Sequence, residues 1–150
     1  MLLARINRTE PERVLIIVKA GEALVEGRPV CYHFDGTNGG KDAFLANAAT
    51  DATMVIGLAD EAIASGAYGR VLVYGLKTNA QVLISGSHAA VDCGAILKVV
   101  SGGGASNGGL SLSIGVGAAT NVQPNFVLAH SASVTSASTE QALGVYVRCL

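Results

Sequence analysis

Apolar and polar positions alternate with a period of two wherever the chain shows a pattern. Leu110, Leu112 and Ile114 fall on one side of an extended backbone and Ser111 and Ser113 on the other, and Val145 and Val147 flank Tyr146 in the same way. Further apolar runs have strand length and many β-branched members: Val14 to Val18, Val30 to Phe34, Met54 to Leu58, Val71 to Tyr74, Val82 to Ile84, Ile96 to Val100 and Phe126 to Leu128. Glycine punctuates nearly all of them. Asp35-Gly36 and Asn38-Gly39 tolerate positive φ, so DGTNGG reads as a hairpin turn, and SGGGASNGG, Ser101 to Gly109, reads as a longer loop. Helix signals are confined to Lys41 to Ala49 and to Asp60 to Ala64, each long enough for about two turns, with Asp42 or Asp60 as the cap. The pattern predicts an all-β chain, a compact β-sandwich or small barrel of short antiparallel strands with at most short helices.

The chain is expected to form one β domain over residues 14–150, preceded by a segment at 1–13. Two related halves, 14–78 and 81–150, can be aligned within the domain. AGEALVEGRPV (Ala20 to Val30) lies on SGSHAAVDCGAIL (Ser85 to Leu97) with a two-residue insertion, and VIGLADEAIASGAYGRVLVYG (Val55 to Gly75) matches FVLAHSASVTSASTEQALGVYVR (Phe126 to Arg148) in outline. An internal duplication produces such an alignment, and so does a shared richness in Ala and Gly.

Composition changes the picture in one respect. Charged residues make up 14% of the 150 positions and glycine accounts for 19 of them, against typical shares of about 25% and ~7%. From Val99 to the C-terminus only Glu140 and Arg148 carry formal charge. A folded chain so poor in charge covers its surface with Ser, Thr, Ala and Gly, which suits contact with other molecules better than contact with water. Association, as a homo-oligomer or with a partner protein, is the first expectation.

The net charge of -1 offers no basic excess for a nucleic acid, and no run approaches the ~20 apolar residues that cross a membrane. MLLARINRTEPER lacks the apolar core of a secretion signal, and Cys31, Cys93 and Cys149 are odd in number and far apart. Free thiols and synthesis in a reducing cytoplasm are expected.

Candidate chemistry is sparse, and neither catalytic residue, cofactor nor metal is expected. Gly104, Ser106 and Gly108 match the nucleophile-elbow pattern, but the residues from Gly109 onward alternate as a strand where the elbow needs a helix, and no histidine follows Glu140 to complete a triad. Cys31 and His33 share one face of a strand, the most suggestive pair of soft ligands, yet His33, His88 and His130 fall in no metal-binding spacing with the cysteines. Asp60 and Glu61 are adjacent, so they read as solvated turn residues pointing apart. Glycines at 102 and 104 are followed by Asn107 where a dinucleotide fingerprint needs a third glycine. A sugar- or ligand-binding β module would display aromatics, and the chain has no Trp, four Tyr and three Phe.

The order AGEALVEGRPV, then the Ala-rich FLANAATDAT, then VIGLADEAIASGAYGRVLVYG, then a second round ending in a Val/Tyr strand, resembles small head proteins of tailed phages, the capsid decoration or cement proteins, over about residues 14 to 148. The resemblance implies a compact β domain, often trimeric, that binds the exterior of an icosahedral capsid. There it bridges major capsid protein subunits and stabilises the shell. It implies no catalytic set. The long Gly/Ser-rich second half departs from this pattern and fits a head-fibre or tail-associated β module as the alternative. Many equivalent weak contacts would suit a bland, low-charge surface. Leu2, Leu3 and Ile6, interleaved with Arg5 and Arg8 ahead of Pro11, are the expected capsid contacts, either as an arm that adds to a neighbouring strand or groove or as a first strand of the domain itself.

Overall fold

A computed structural model of the chain describes residues 12–34, 37, 39–47, 54–83, 93–100, 109–112, 127–129 and 140–149. Among these residues there is no helix, and the fold is all-β. Nine strands form it: β1 (Val14–Lys19), β2 (Pro29–Tyr32), β3 (Ala43–Leu45), β4 (Val55–Ala59), β5 (Tyr68–Leu83), β6 (Ile96–Val100), β7 (Gly109–Leu112), β8 (Val127–Ala129) and β9 (Glu140–Arg148). Pairing runs β3-β2-β4-β5-β7-β6-β8-β9, β1 adds to β5, and β9 pairs back onto β5. Every pair is antiparallel except β5 with β7.

The strands β2 and β4, and Val71 to Val73 of β5, read as continuous apolar runs because both of their faces are covered. Successive side chains on a strand point to opposite faces. Cys31, Leu58 and Leu72 enter one core cluster with Val82, Leu97, Val145 and Val147. Their neighbours Val30, Ala59 and Val71 enter a second with Val18, Leu24, Leu45 and Ile63. The register agrees, since Leu58 stands opposite Leu72 and Ala59 opposite Val71. This two-faced packing is sandwich-like, with the middle strands shared by two apolar layers.

Neither segment with helix signals is helical among its described residues. Ala43–Leu45 is a strand whose Ala43 and Leu45 are buried, and its backbone is held from outside the segment: Leu45 N donates to Glu22 Oε1 (2.8 Å) and Ala46 N to Pro29 O (2.9 Å). Residues 48–49 of that segment lie outside the described residues. In Asp60 to Ala64, Ile63 exchanges backbone hydrogen bonds with Leu24 (2.8 and 2.9 Å) and Asp60 N donates to Arg70 O (2.9 Å). Pairing partners distant in sequence override a weak local propensity in both places.

The runs Val71 to Tyr74 and Val82 to Ile84 are expected as separate short strands, but Val71 to Leu83 belongs to one strand of 16 residues, and Ile84 lies outside the described residues. Gly75 lies inside it and is not a terminator. Its φ of +115° turns the strand under residues 12 and 13, where a Cβ would strike the Glu12 carbonyl oxygen and Arg13. A bulge follows: Lys77 pairs with Val145 and Ala80 with Leu143, so three steps on β5 match two on β9.

Candidate functional site

Two places stand out, one apolar and one polar. β1 is the apolar one. Its burial alternates, with Val18 buried and Leu15 and Ile17 turned outward. Ile17 is 75% exposed and Tyr68 72% exposed. Ile17 faces Arg70 and Lys19 faces Tyr68 across the β1–β5 pair, so Tyr68 is the diagonal neighbour of Ile17, and Leu15, Ile17 and Tyr68 make one stripe. Arg70 flanks the stripe, tied to Glu61 (Nη2 to Oε2, 3.2 Å), and Lys19 reaches Asp42 (3.2 Å). An apolar centre with a paired polar rim is the anatomy of a protein contact surface.

The polar place follows from the bulge. Directly opposed residues share a sheet face, so Lys77, facing the buried Val145, points toward the main core and is only 5% exposed. Its ammonium is compensated in full: Nζ donates to Glu26 Oε1 (2.9 Å), to the Asp60 carbonyl oxygen (2.8 Å) and to Asp60 Oδ1 (3.3 Å). Asn79 Nδ2 donates to the same Glu26 oxygen (2.6 Å). The Asp60 side chain, 8% exposed, also accepts from Arg13 and lies 3.8 Å from Arg70 Nη2. On the edge of β5 not taken by β9, pairing with β1 ends at Tyr74 and resumes at Gln81, whose N–H donates to Gly27 O (3.0 Å). In the gap lies a cavity of about 530 Å³ lined by Arg13, Glu26, Asp60, Leu76, Lys77, Thr78 and Asn79.

These groups hold protons in place. An ammonium with its three hydrogens on oxygens offers no lone pair to an electrophile, and the carboxylates beside it are acceptors already engaged. The Glu26 carboxyl is held below its ordinary value of 4.5, first by the Asn79 hydrogen bond and then by the hydrogen bond and charge of Lys77. Glu61 is held low by its side-chain and backbone hydrogen bonds from Arg70. A lowered carboxylate contributes stability that is complete above its unfolded value and is lost as pH falls through the folded one. The urea midpoint is therefore expected to stay level from neutral pH down to about 4.5 and to fall below it, and Glu26→Gln should flatten that acid limb. An acid limb equally steep in the variant would show that Glu26 carries none of it. The effect is small because water screens both glutamates.

Several expectations meet the structure here. Asp60 is not a solvated turn residue: β4 carries it to the core edge, where Lys77 and two arginines surround it, and Asp60 and Glu61 converge on Arg70. The Cys31 thiol is buried and directed at the Phe44 carbonyl oxygen (3.7 Å), while the His33 ring stacks on Phe44 at 4.4 Å. Among the described residues no three of His, Cys, Asp and Glu gather where a metal could sit. Cys31, Cys93 and Cys149 remain thiols, and burial pushes Cys149 up to about 12. Leu2, Leu3, Arg5, Ile6 and Arg8, with Ser106, His88 and His130, lie outside the described residues. The polar cluster is not legible from local spacing, and its one signal is Lys77, a charge standing between the apolar runs at Val71 to Tyr74 and Val82 to Ile84. In comparison with known proteins, the chain matches no protein-family model and no curated protein.

Proposed function

We propose that this protein is a non-enzymatic virion component that binds the outer surface of an icosahedral phage capsid, bridges major capsid protein subunits and stabilises the shell. The observation that carries the proposal is the exposed stripe of Leu15, Ile17 and Tyr68 on a chain with so few charges. Apolar side chains fixed on a sheet face lose little entropy when covered, and many copies on a symmetric shell multiply a weak contact. The polar cluster supports the same reading by holding β1, the turn at Glu26 and β5 together as a stiff platform. The bland surface supports assembly as a homo-oligomer, while a trimer, and a place on the capsid exterior after synthesis in the host cytoplasm, are what the resemblance to decoration proteins implies.

The test is co-sedimentation with empty and expanded shells, preceded by mass photometry of the protein alone. Saturable binding to shells is expected, and deleting residues 1–12 should abolish it or weaken it greatly while the domain stays folded. A persistent monomer that ignores shells would overturn the proposal. Full occupancy after the deletion would remove Leu2, Leu3, Arg5, Ile6 and Arg8 from the contact.

A further inference from the structure

β5 and β9 are joined by side chains as well as by their backbone ladder. Val145 and Val147 of β9 are buried in the main core, so Tyr146 between them points away from it. Leu76 stands opposite Tyr146 and Tyr74 opposite Arg148, which makes Tyr74 the diagonal neighbour of Tyr146. The two rings meet edge to face, their centroids 5.4 Å apart and their planes at 80°. A hydrogen bond between the phenols holds the hydroxyl ends together, and it is the first cause that raises Tyr146 above its ordinary value of 10, ahead of burial. Both residues are half-buried, so each ring keeps a side open to small reagents.

This geometry suits one chemistry. A phenol that loses an electron and its hydroxyl proton becomes a radical whose spin is shared between the oxygen and the ring, and two such radicals couple at the Cε carbons beside the hydroxyl. The hydrogen bond between Tyr74 and Tyr146 brings the Cε edges of the two rings near each other, and rotation about χ2, broad and two-fold in tyrosine, closes the remaining gap. The chain has four tyrosines, and the other two are placed differently. Tyr68 lies exposed on the stripe beside Ile17, and Tyr32 packs against the other core cluster.

We infer that Tyr74 and Tyr146 form an oxidative modification site, at which a peroxide-driven one-electron oxidant joins the two rings by a Cε–Cε bond and so fastens β9 to β5 covalently. Each ring gives up one electron and its hydroxyl proton. After the carbons couple, the hydrogen on each bonded Cε shifts to the oxygen, which restores both phenols. Hydrogen peroxide takes up the two electrons and two protons and leaves as two waters. The link closes the whole chain from Tyr74 to Tyr146 into one loop, and a cross-link over so long a stretch restricts the unfolded chain strongly. None of this rests on the capsid reading.

The experiment treats the whole chain with hydrogen peroxide and a haem peroxidase at low protein concentration, in a Cys93→Ser background that removes an exposed thiol able to consume the oxidant. Dityrosine fluorescence should appear, the protein should still run as a single chain in denaturing electrophoresis, and its mass should fall by two hydrogens. Peptide mapping should then join the Tyr74 and Tyr146 peptides. Tyr146→Phe and Tyr74→Phe, each of which keeps its ring, should both lose the fluorescence, and Tyr68→Phe should retain it. The cross-linked protein should unfold at a higher urea concentration than the untreated one. Fluorescence that survives Tyr146→Phe, cross-links that run only between molecules through Tyr68, or the absence of a joined peptide would each overturn the inference. An equal yield from protein unfolded in urea before oxidation would overturn it too, since proximity in the fold would then play no part.

Discussion

Replacing Lys77 with alanine is expected to lower folding stability by about 3 kcal/mol, a large part of the 5–15 kcal/mol that holds a domain of this size together. The cost comes from what the ammonium leaves behind. Asp60, buried at the core edge, loses one of the cations around it, and its carbonyl oxygen loses a donor. Glu26 keeps only Asn79, so the turn at Glu26 and Gly27 is less firmly tied to the bulge. Lys77→Met is expected to cost about 1–2 kcal/mol, since it keeps the stem packed toward Val145 and leaves Asp60 with Arg13 and Arg70. Urea unfolding with an unchanged slope is the measurement. Two variants that both match the parent within about 0.5 kcal/mol would show that the cluster does not hold the fold.

Gly75→Val is expected to cost a similar amount, about 3 kcal/mol, by a different route. A β-branched residue at φ +115° is strained, and its Cβ would meet the Glu12 carbonyl oxygen and Arg13 where the chain enters β1. The strand start must lift from β5, which withdraws Arg13 from Asp60. Because Gly75 and Lys77 act on the same carboxylate, the double variant should lose less than the summed single losses. Strict additivity in thermal or urea unfolding would mean that the start of β1 and the polar cluster are independent.

How much of this was legible in the sequence differs by element. The runs at Val14, Met54 and Ile96 announced their strands because burial on one or two faces leaves a local trace in side-chain type. The segment from Lys41 to Ala49 reads as helix because Ala and Leu favour a helix locally, whereas the strand at Ala43–Leu45 is set by Pro29 and Glu22, far away in sequence. Gly75 follows the run Val71 to Tyr74, and a glycine gives the same local signal at a turn and at a kink inside a strand, so the run reads as ending there. The polar cluster was the least legible part. Lys77 is separated from Glu26 by 51 residues and from Asp60 by 17, and only the β4–β5 pairing and the docking of the Gly27 turn bring them together. The exposed stripe is intermediate: alternation located Ile17 on a strand, but Val18 and Ile17 are equally apolar, and the register with Gly69 and Arg70 decides which of them faces water.

The long strand β5 has a consequence for how the molecule comes into being. It carries β1 and β4 along its first half and β9, Glu140–Arg148, far later in the chain, along its second. During synthesis the early strands emerge with their central partner only half covered, and Tyr74 to Leu83 gain their antiparallel neighbour only once Glu140–Arg148 has been made. Pairings this distant along the chain make slow, late-closing folds. A nascent or clipped molecule lacking β9 would expose a ready-made template for aggregation, so the presence of that one strand protects the whole.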